Sequence, residues 1–268
     1  MKNCKKIYFI SGEASGDLHG SNLIKEMLLQ KSAEQELNIR FWGGDKMAEV
    51  IGKQPVKHYK ELAFMGFLEV VLNLRTILKN IDFCKQDILD FKPDVLVLID
   101  YPGFNLRIAE WAKSHHIKVV YYISPTVWAW KQKRVFTIKK AVDKMYAILP
   151  FEKPFYQKFD YGVEYYGHPL LDAVQQFESL KNQEENFRIK HQLSDLPIIA
   201  ILPGSRKQEI RKKLPVMLEA VKSFKNYQMV IAGAPGMEEE FYKQFIDNAN
   251  VSIVFGVTYE LLSNAEAA

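Results

Sequence analysis

The chain has 268 residues, of which 48% are hydrophobic and 25% charged, and a formal net charge of +4. That length holds one large domain or two smaller ones, and the composition is that of an ordinary globular protein. No apolar run approaches the roughly 20 residues that span a bilayer, the basic start MKNCKK leads into an apolar stretch too short for a secretory segment, and the two cysteines, Cys4 and Cys84, argue against a disulfide scaffold.

The first predicted strand is the apolar run Ile7 to Ile10, followed by a loop of small and acidic residues and a helical pattern carrying Leu23, Ile24, Met27 and Leu28. Glycines stand at 12, 16 and 20. Their spacing matches neither the GxGxxG dinucleotide fingerprint nor the GxxxxGK[ST] phosphate loop. The loop is either a ligand site at a helix N-terminus or a small-residue turn opening an α/β domain. Glu13, Ser15 and Asp17 are candidates for binding hydroxyls or phosphate; Ser15 and Asp17 equally suit caps of a helix beginning near Leu18.

A second strand is predicted at Ile39–Trp42. The stretch Leu62–Leu78 then shows a wide apolar band formed by Phe64, Met65, Phe67, Leu68, Val71 and Leu72. It reads as a buried core helix or as a helix that enters a membrane surface. Val95–Ile99 is a continuous apolar run closed by Asp100, Tyr101, Pro102 and Gly103, the way a central parallel strand ends at a functional edge. Asp100 is the candidate general base there, or a cap of the following helix. Asn105 reads as a cap or turn residue close to the same edge.

Strands follow at Val119–Ile123, Lys144–Leu149 and Val163–Tyr166. Between the first two, residues 131–140 hold five cations and no acid, directly after Trp128 and Trp130. This is a solvated helix face or a contact with an anionic surface. Nucleic acid suits it less, because no helix-turn-helix, zinc finger or RNP motif accompanies it. His168, before Pro169, sits in an extended segment as a structural histidine or a cleft residue.

Residues 172–197 turn polar and read as an exposed helix and linker. A second α/β unit is predicted beyond it: strand Ile198–Leu202, a Pro203-Gly204-Ser205-Arg206 turn, a helix over 209–224, strand Gln228–Ala232, a helix over 237–247, strand Ser252–Phe255 and a last helix that should feed another strand. The expected fold is α/β, with an N-terminal domain over 1–171, the linker over 172–197 and a partial C-terminal domain over 198–268. The turn at 203–206 places backbone N–H groups, the Ser205 hydroxyl and the Arg206 guanidinium where they face a diphosphate together, unless it is only a helix cap with a solvated arginine. No acidic pair stands near it, so neither a divalent metal nor another cofactor is expected.

The segment SGEASGD at 11–17 resembles the N-terminal signature of the lipid-A-disaccharide synthase family. Further segments follow in that family's order: ELAFMGFLEVV at 61–71, KPDVLVLIDYPGFN at 92–105, YYISPTVWAWKQKRV at 121–135, LPFEKPFY at 149–156, YYGHPLLDA at 165–173 and LPGSRKQEI at 202–210. The resemblance implies two facing Rossmann-like domains of the GT-B glycosyltransferase type. It implies an inverting transfer that joins UDP-2,3-diacylglucosamine to 2,3-diacylglucosamine 1-phosphate and releases UDP. Gly204, Ser205, Arg206 and Glu209 would then hold UDP. Gly12, Glu13, Ser15, Gly16, Asp17 and Asn105 would line the acceptor side, with Asp100 as catalytic group. Phe64, Met65, Phe67, Leu68, Val71, Trp128 and Trp130 would touch an anionic membrane. A cytoplasmic protein, peripheral on the inner face of the inner membrane and homodimeric at full length, is implied with them.

The chain departs from the family in two respects. Many members read DxPDFN, whereas this chain has Gly103 at the second acidic position. The family also continues beyond this chain with a Gly/Thr/Glu-containing segment of the nucleotide site, so the second domain is expected to be incomplete. Two alternatives stay open: a non-catalytic lipid-binding fragment, and another transferase or epimerase that uses UDP-GlcNAc.

Overall fold

The computed structural model describes residues 3–62, 74–180, 187–246 and 250–268. The chain divides into two compact units, Met1–Leu171 and Asp172–Ala268.

The first unit is built on a parallel sheet. Its described strands are β1 (Asn3–Ser11), β2 (Gln35–Gly43), β3 (Lys57–His58), β4 (Val95–Ile99), β5 (Lys118–Tyr122), β6 (Lys144–Ala147) and β7 (Glu164–Tyr165), in the spatial order β3-β2-β1-β4-β5-β6-β7. The strand order reverses between β1 and β4, which pair in register from Ile7↔Val95 to Ser11↔Ile99. Crossover helices cover both faces, so alternate residues of one strand enter different cores. Ile7 and Phe9 join the cluster under α1 (Ala14–Gln30) and α2 (Asp45–Ile51). Tyr8 and Ile10 join the opposite cluster, under α3 (Leu74–Phe91), α4 (Pro102–Ser114) and α5 (Arg134–Ala141). Each fully buried side chain of this size contributes about 1.5–3 kcal/mol relative to exposure.

Two details fix helices against this sheet. Gly16 and Gly20, one turn apart on α1, lie against it: a Cβ at Gly16 would stand 2.5 Å from Ser11 Oγ, and one at Gly20 2.9 Å from Ile99 Cδ1. On α3, the buried Asp87 carboxylate accepts from Arg40 Nε at 2.9 Å and from the Tyr8 hydroxyl. A carboxylate taken out of water needs such partners, and here they tie the helix to β1 and β2.

The second unit has described strands β8 (Ile198–Ile201), β9 (Gln228–Gly233) and β10 (Val251–Phe255), parallel and ordered β10-β9-β8. Clusters around Ile199, Ile210 and Ile231, and around Ile198, Val230 and Leu261, fill its two faces. On the other side of β8 the backbone of Glu266 and Ala267 bonds to Ile198 and Ala200. The polar stretch expected as linker is partly absorbed. Phe187, only 6% exposed, and Leu193 pack into the second of these clusters. Two apolar residues in a charged background are weak signals in sequence, and burial against β8 and β10 is what decides their place.

Candidate functional site

In a parallel sheet the crevice for ligands opens at the carboxyl ends of the strands where their order reverses. Here those ends are Ser11 to Glu13 after β1 and Asp100 to Gly103 after β4. Three residues at the ends of β4 and β5 have left-handed backbone: Asp100 (φ 44°), Tyr101 (φ 48°) and Ile123 (φ 69°). The other non-glycine residues of this kind, Lys92, His116, Asp160 and Gln192, follow helices, where such a conformation is a normal ending. At strand ends it is strained, above all for a β-branched isoleucine, and strain of this kind gathers at functional sites.

The chain leaves β4 at Asp100 and enters α4 directly, with Tyr101 at its N-cap and no side-chain cap bond. Asp100 is therefore not the cap of that helix. Its N–H donates to the Tyr122 carbonyl at 3.2 Å, and its carbonyl accepts from the Tyr121 hydroxyl at 2.5 Å and from Asn105 Nδ2 at 2.8 Å. The Tyr101 ring lies over Gly12, where a Cβ would fall 2.3 Å from its Cδ1, and its hydroxyl donates to the Leu62 carbonyl. Burial pushes the Tyr101 hydroxyl pKa up, and the nearby Glu13 carboxylate adds to the shift. Glu13 follows Gly12, the residue that the Tyr101 ring covers.

Three expectations for the first loop are corrected. The helix begins at Ala14, not near Leu18, so Ser15 and Asp17 lie inside it and its N-cap is Glu13. Asp17, only 3% exposed, accepts from the backbone N–H groups of Gly44 (2.7 Å), Lys46 (3.0 Å) and Met47 (3.2 Å). Its charge caps the start of α2 and is not available to a ligand at the crevice. Gly16 serves helix–sheet contact, as described above. Ser15 is exposed, and Glu13 is half-buried. Asn105 is fully buried within α4, where it donates to the carbonyls of Ile99 and Asp100; it is neither a turn residue nor exposed.

Gly103 is the second residue of α4, and a Cβ there would meet nothing within 4 Å. Gly103→Asp is expected to be accommodated and to stabilise the protein by about 1 kcal/mol, through lower chain entropy and a favourable charge at a helix N-terminus. Thermal unfolding should show a midpoint raised by about 2–4 °C. A lowered midpoint would show that the space is closed.

Of the residues read as membrane-facing, Phe64, Met65, Phe67, Leu68 and Val71 lie outside the described residues. Trp128 is half-buried and meets the Phe151 ring edge-on at 4.9 Å. Trp130 is 61% exposed, with Lys131 Nζ 4.5 Å from its ring, and Phe136 is 62% exposed beside the cations of α5. Phe136 and Phe151 are exposed aromatic residues that sequence pattern does not single out, because neither belongs to an apolar run. Among the described residues no helix is long and apolar enough to cross a membrane.

In the second unit, each described strand leaves its carboxyl end through a glycine with positive φ: Gly204 (111°), Gly236 (80°) and Gly256 (74°). After β8, Gly204 turns the chain into α9 (Lys207–Val221), where α6 (Glu152–Gln157), α7 (Pro169–Leu180) and α8 (Phe187–Lys190) are the intervening described helices. Arg206 is the N-cap and makes no side-chain cap bond. Ser205 is exposed, and Arg206 stands 3.8 Å from Glu209, whose side chain lies against Gly204. The first-turn N–H groups, Ser205 and the guanidinium thus share one exposed edge, an arrangement suited to a phosphate group. Among the described residues no cluster of three or more His, Cys, Asp or Glu could hold a metal ion.

Parallel α/β units of this kind are shared with solved UDP-GlcNAc 2-epimerases. The structure of UDP-GlcNAc 2-epimerase from Methanocaldococcus jannaschii, in complex with UDP-GlcNAc and UDP, matches with a TM-score of 0.67 at 16% identity, covering 98% of this chain and 77% of that one. The Neisseria meningitidis UDP-GlcNAc 2-epimerase bound to UDP-GlcNAc gives 0.65 at 15% identity, with coverage of 98% and 76%. The sequence is more specific than the fold. The lipid-A-disaccharide synthetase family pattern matches residues 7–268. The lipid-A-disaccharide synthase of Syntrophus aciditrophicus is 39% identical over 99% of this chain and 70% of its own length. Lipid-A-disaccharide synthase 1 of Legionella pneumophila (strain Paris) is 34% identical, with coverage of 99% and 69%. The chain belongs to the lipid-A-disaccharide synthase family, glycosyltransferases of lipid A biosynthesis.

Proposed function

We propose that the protein joins UDP-2,3-diacylglucosamine to 2,3-diacylglucosamine 1-phosphate with inversion at the donor's anomeric carbon. The observation that carries this reading, within the family, is Asp100 held in a strained turn where the first sheet's strand order reverses. In the proposed reaction the acceptor 6-hydroxyl attacks the anomeric carbon and gives its proton to the Asp100 carboxylate. The bond between the anomeric carbon and the diphosphate oxygen breaks, and UDP takes the electron pair. The growing charge on the diphosphate is assigned to Arg206, Ser205 and the N-terminus of α9, donors and a cation grouped at the start of one helix. Glu13 is assigned to the acceptor's hydroxyls.

Consumption of the donor should require the acceptor. UDP release followed with each substrate alone and with both together tests this. Conversion of the donor in the absence of acceptor would favour an epimerase or a hydrolase.

Acylated substrates have to be reached at a bilayer, and Trp130, Phe136 and the cations at 131, 133, 134, 139 and 140 are assigned to that contact. Each cation near an anionic surface contributes about 1 kcal/mol, and the aromatic rings add binding that salt does not screen. Replacing Trp130 and Phe136 with Ser should weaken sedimentation with phosphatidylglycerol vesicles at high salt by about tenfold or more. Unchanged sedimentation would move the contact elsewhere.

A further inference from the structure

We propose that Tyr121 and Asn105 are positioning residues that hold the Asp100 carboxylate in its reactive direction by jointly gripping the Asp100 backbone carbonyl. The inference rests on the assignment of Asp100 as the base.

The backbone at Asp100 sets where its carboxylate points, and that backbone is not one an L-residue adopts on its own. A left-handed conformation is disfavoured for a side chain with a Cβ, and here two such residues stand in succession, Asp100 and Tyr101. Something has to over-determine the turn for it to persist. Leaving β4 also takes the Asp100 carbonyl off the ladder that ends at Ile99. Its two lone pairs are filled instead by two side chains from different elements: the Tyr121 hydroxyl from β5 at 2.5 Å and Asn105 Nδ2 from α4 at 2.8 Å.

Both side chains are fully buried, so neither touches a substrate. Asn105 shows why the grip matters. Its Oδ1 is buried and has no hydrogen-bond partner among the described residues. An apolar residue of the same size would spare the protein that loss, so an asparagine here is explained by what its Nδ2 holds. Burial pushes the Tyr121 pKa well above its usual value, and the Asp100 charge adds to the shift, so the hydroxyl stays protonated as a donor.

The test is a double-mutant cycle in kcat and KM. Tyr121→Phe removes the hydroxyl alone and is expected to lower kcat by about 10- to 100-fold with KM for both substrates nearly unchanged, the signature of a misplaced reacting group. In the Asp100→Asn background, where there is no base to aim, the same substitution should leave the residual rate as it was. Equal losses in both backgrounds, a normal kcat, or a rise in KM without loss of kcat would overturn the proposal. If Tyr121→Phe does not fold by circular dichroism, Asn105→Leu is carried through the same cycle with the same expectation. Asp100→Asn with full activity would overturn the assignment of the base itself, and positioning with it. An inactive Asp100→Asn beside a normal Tyr121→Phe would overturn positioning alone.

Discussion

Asp100→Asn is expected to reduce transferase turnover by about 10²- to 10⁴-fold, the range that general acid–base catalysis supplies. The substitution keeps the side chain's size and leaves the backbone groups of Asp100 free to make their bonds with Tyr121, Tyr122 and Asn105. The fold should therefore survive, and circular dichroism with a thermal melt checks that it does. What is lost is the acceptor for the proton of the attacking hydroxyl. Because the proton moves in the transition state and not on binding, KM should change little while kcat falls. Retention of full activity by Asp100→Asn would remove Asp100 from the chemistry.

Arg206→Ala is expected to weaken UDP binding by about 10- to 150-fold, which corresponds to the roughly 1.5–3 kcal/mol of a charge-assisted hydrogen bond. Arg206 is exposed, and its ion pair with Glu209 at 3.8 Å is loose enough to give way when a diphosphate arrives. An exposed pair of that kind contributes little to stability, so the melting temperature should barely move. Calorimetric titration with UDP measures the effect. Unchanged affinity would take Arg206 out of the nucleotide site and leave the backbone N–H groups of α9 and Ser205 to carry it.

The sequence made the strands legible because each central one is a run of apolar residues that a sheet covered on both faces requires. The bounds of Val95–Ile99 are legible to the residue, because the Asp-Tyr-Pro-Gly closure behind it ends the apolar run. β1 and β2 proved longer than their apolar runs because backbone pairing continues through Lys5 and Lys6 in β1 and their partners Leu37 and Asn38 in β2. β3 has two residues and no pattern to read.

The first loop was misread for a physical reason. Small residues are wanted both where a ligand approaches backbone and where a helix approaches a sheet. Which of the two applies to Gly16 depends on Ser11 and Ile99, and Asp17 is claimed by amides 27 to 30 residues away. Such partners leave no local trace. The left-handed turn at Asp100 and its grip by Tyr121 are of the same kind, since Tyr121 sits 21 residues on and looks like any aromatic residue of a buried strand.

The transfer is tested most directly by incubating the protein with UDP-2,3-diacylglucosamine and 2,3-diacylglucosamine 1-phosphate and determining the product by NMR. The expected product is a disaccharide 1-phosphate with a newly formed β-1,6 linkage, with one UDP released per disaccharide. An α linkage would contradict inversion, and the absence of any disaccharide would contradict the transfer.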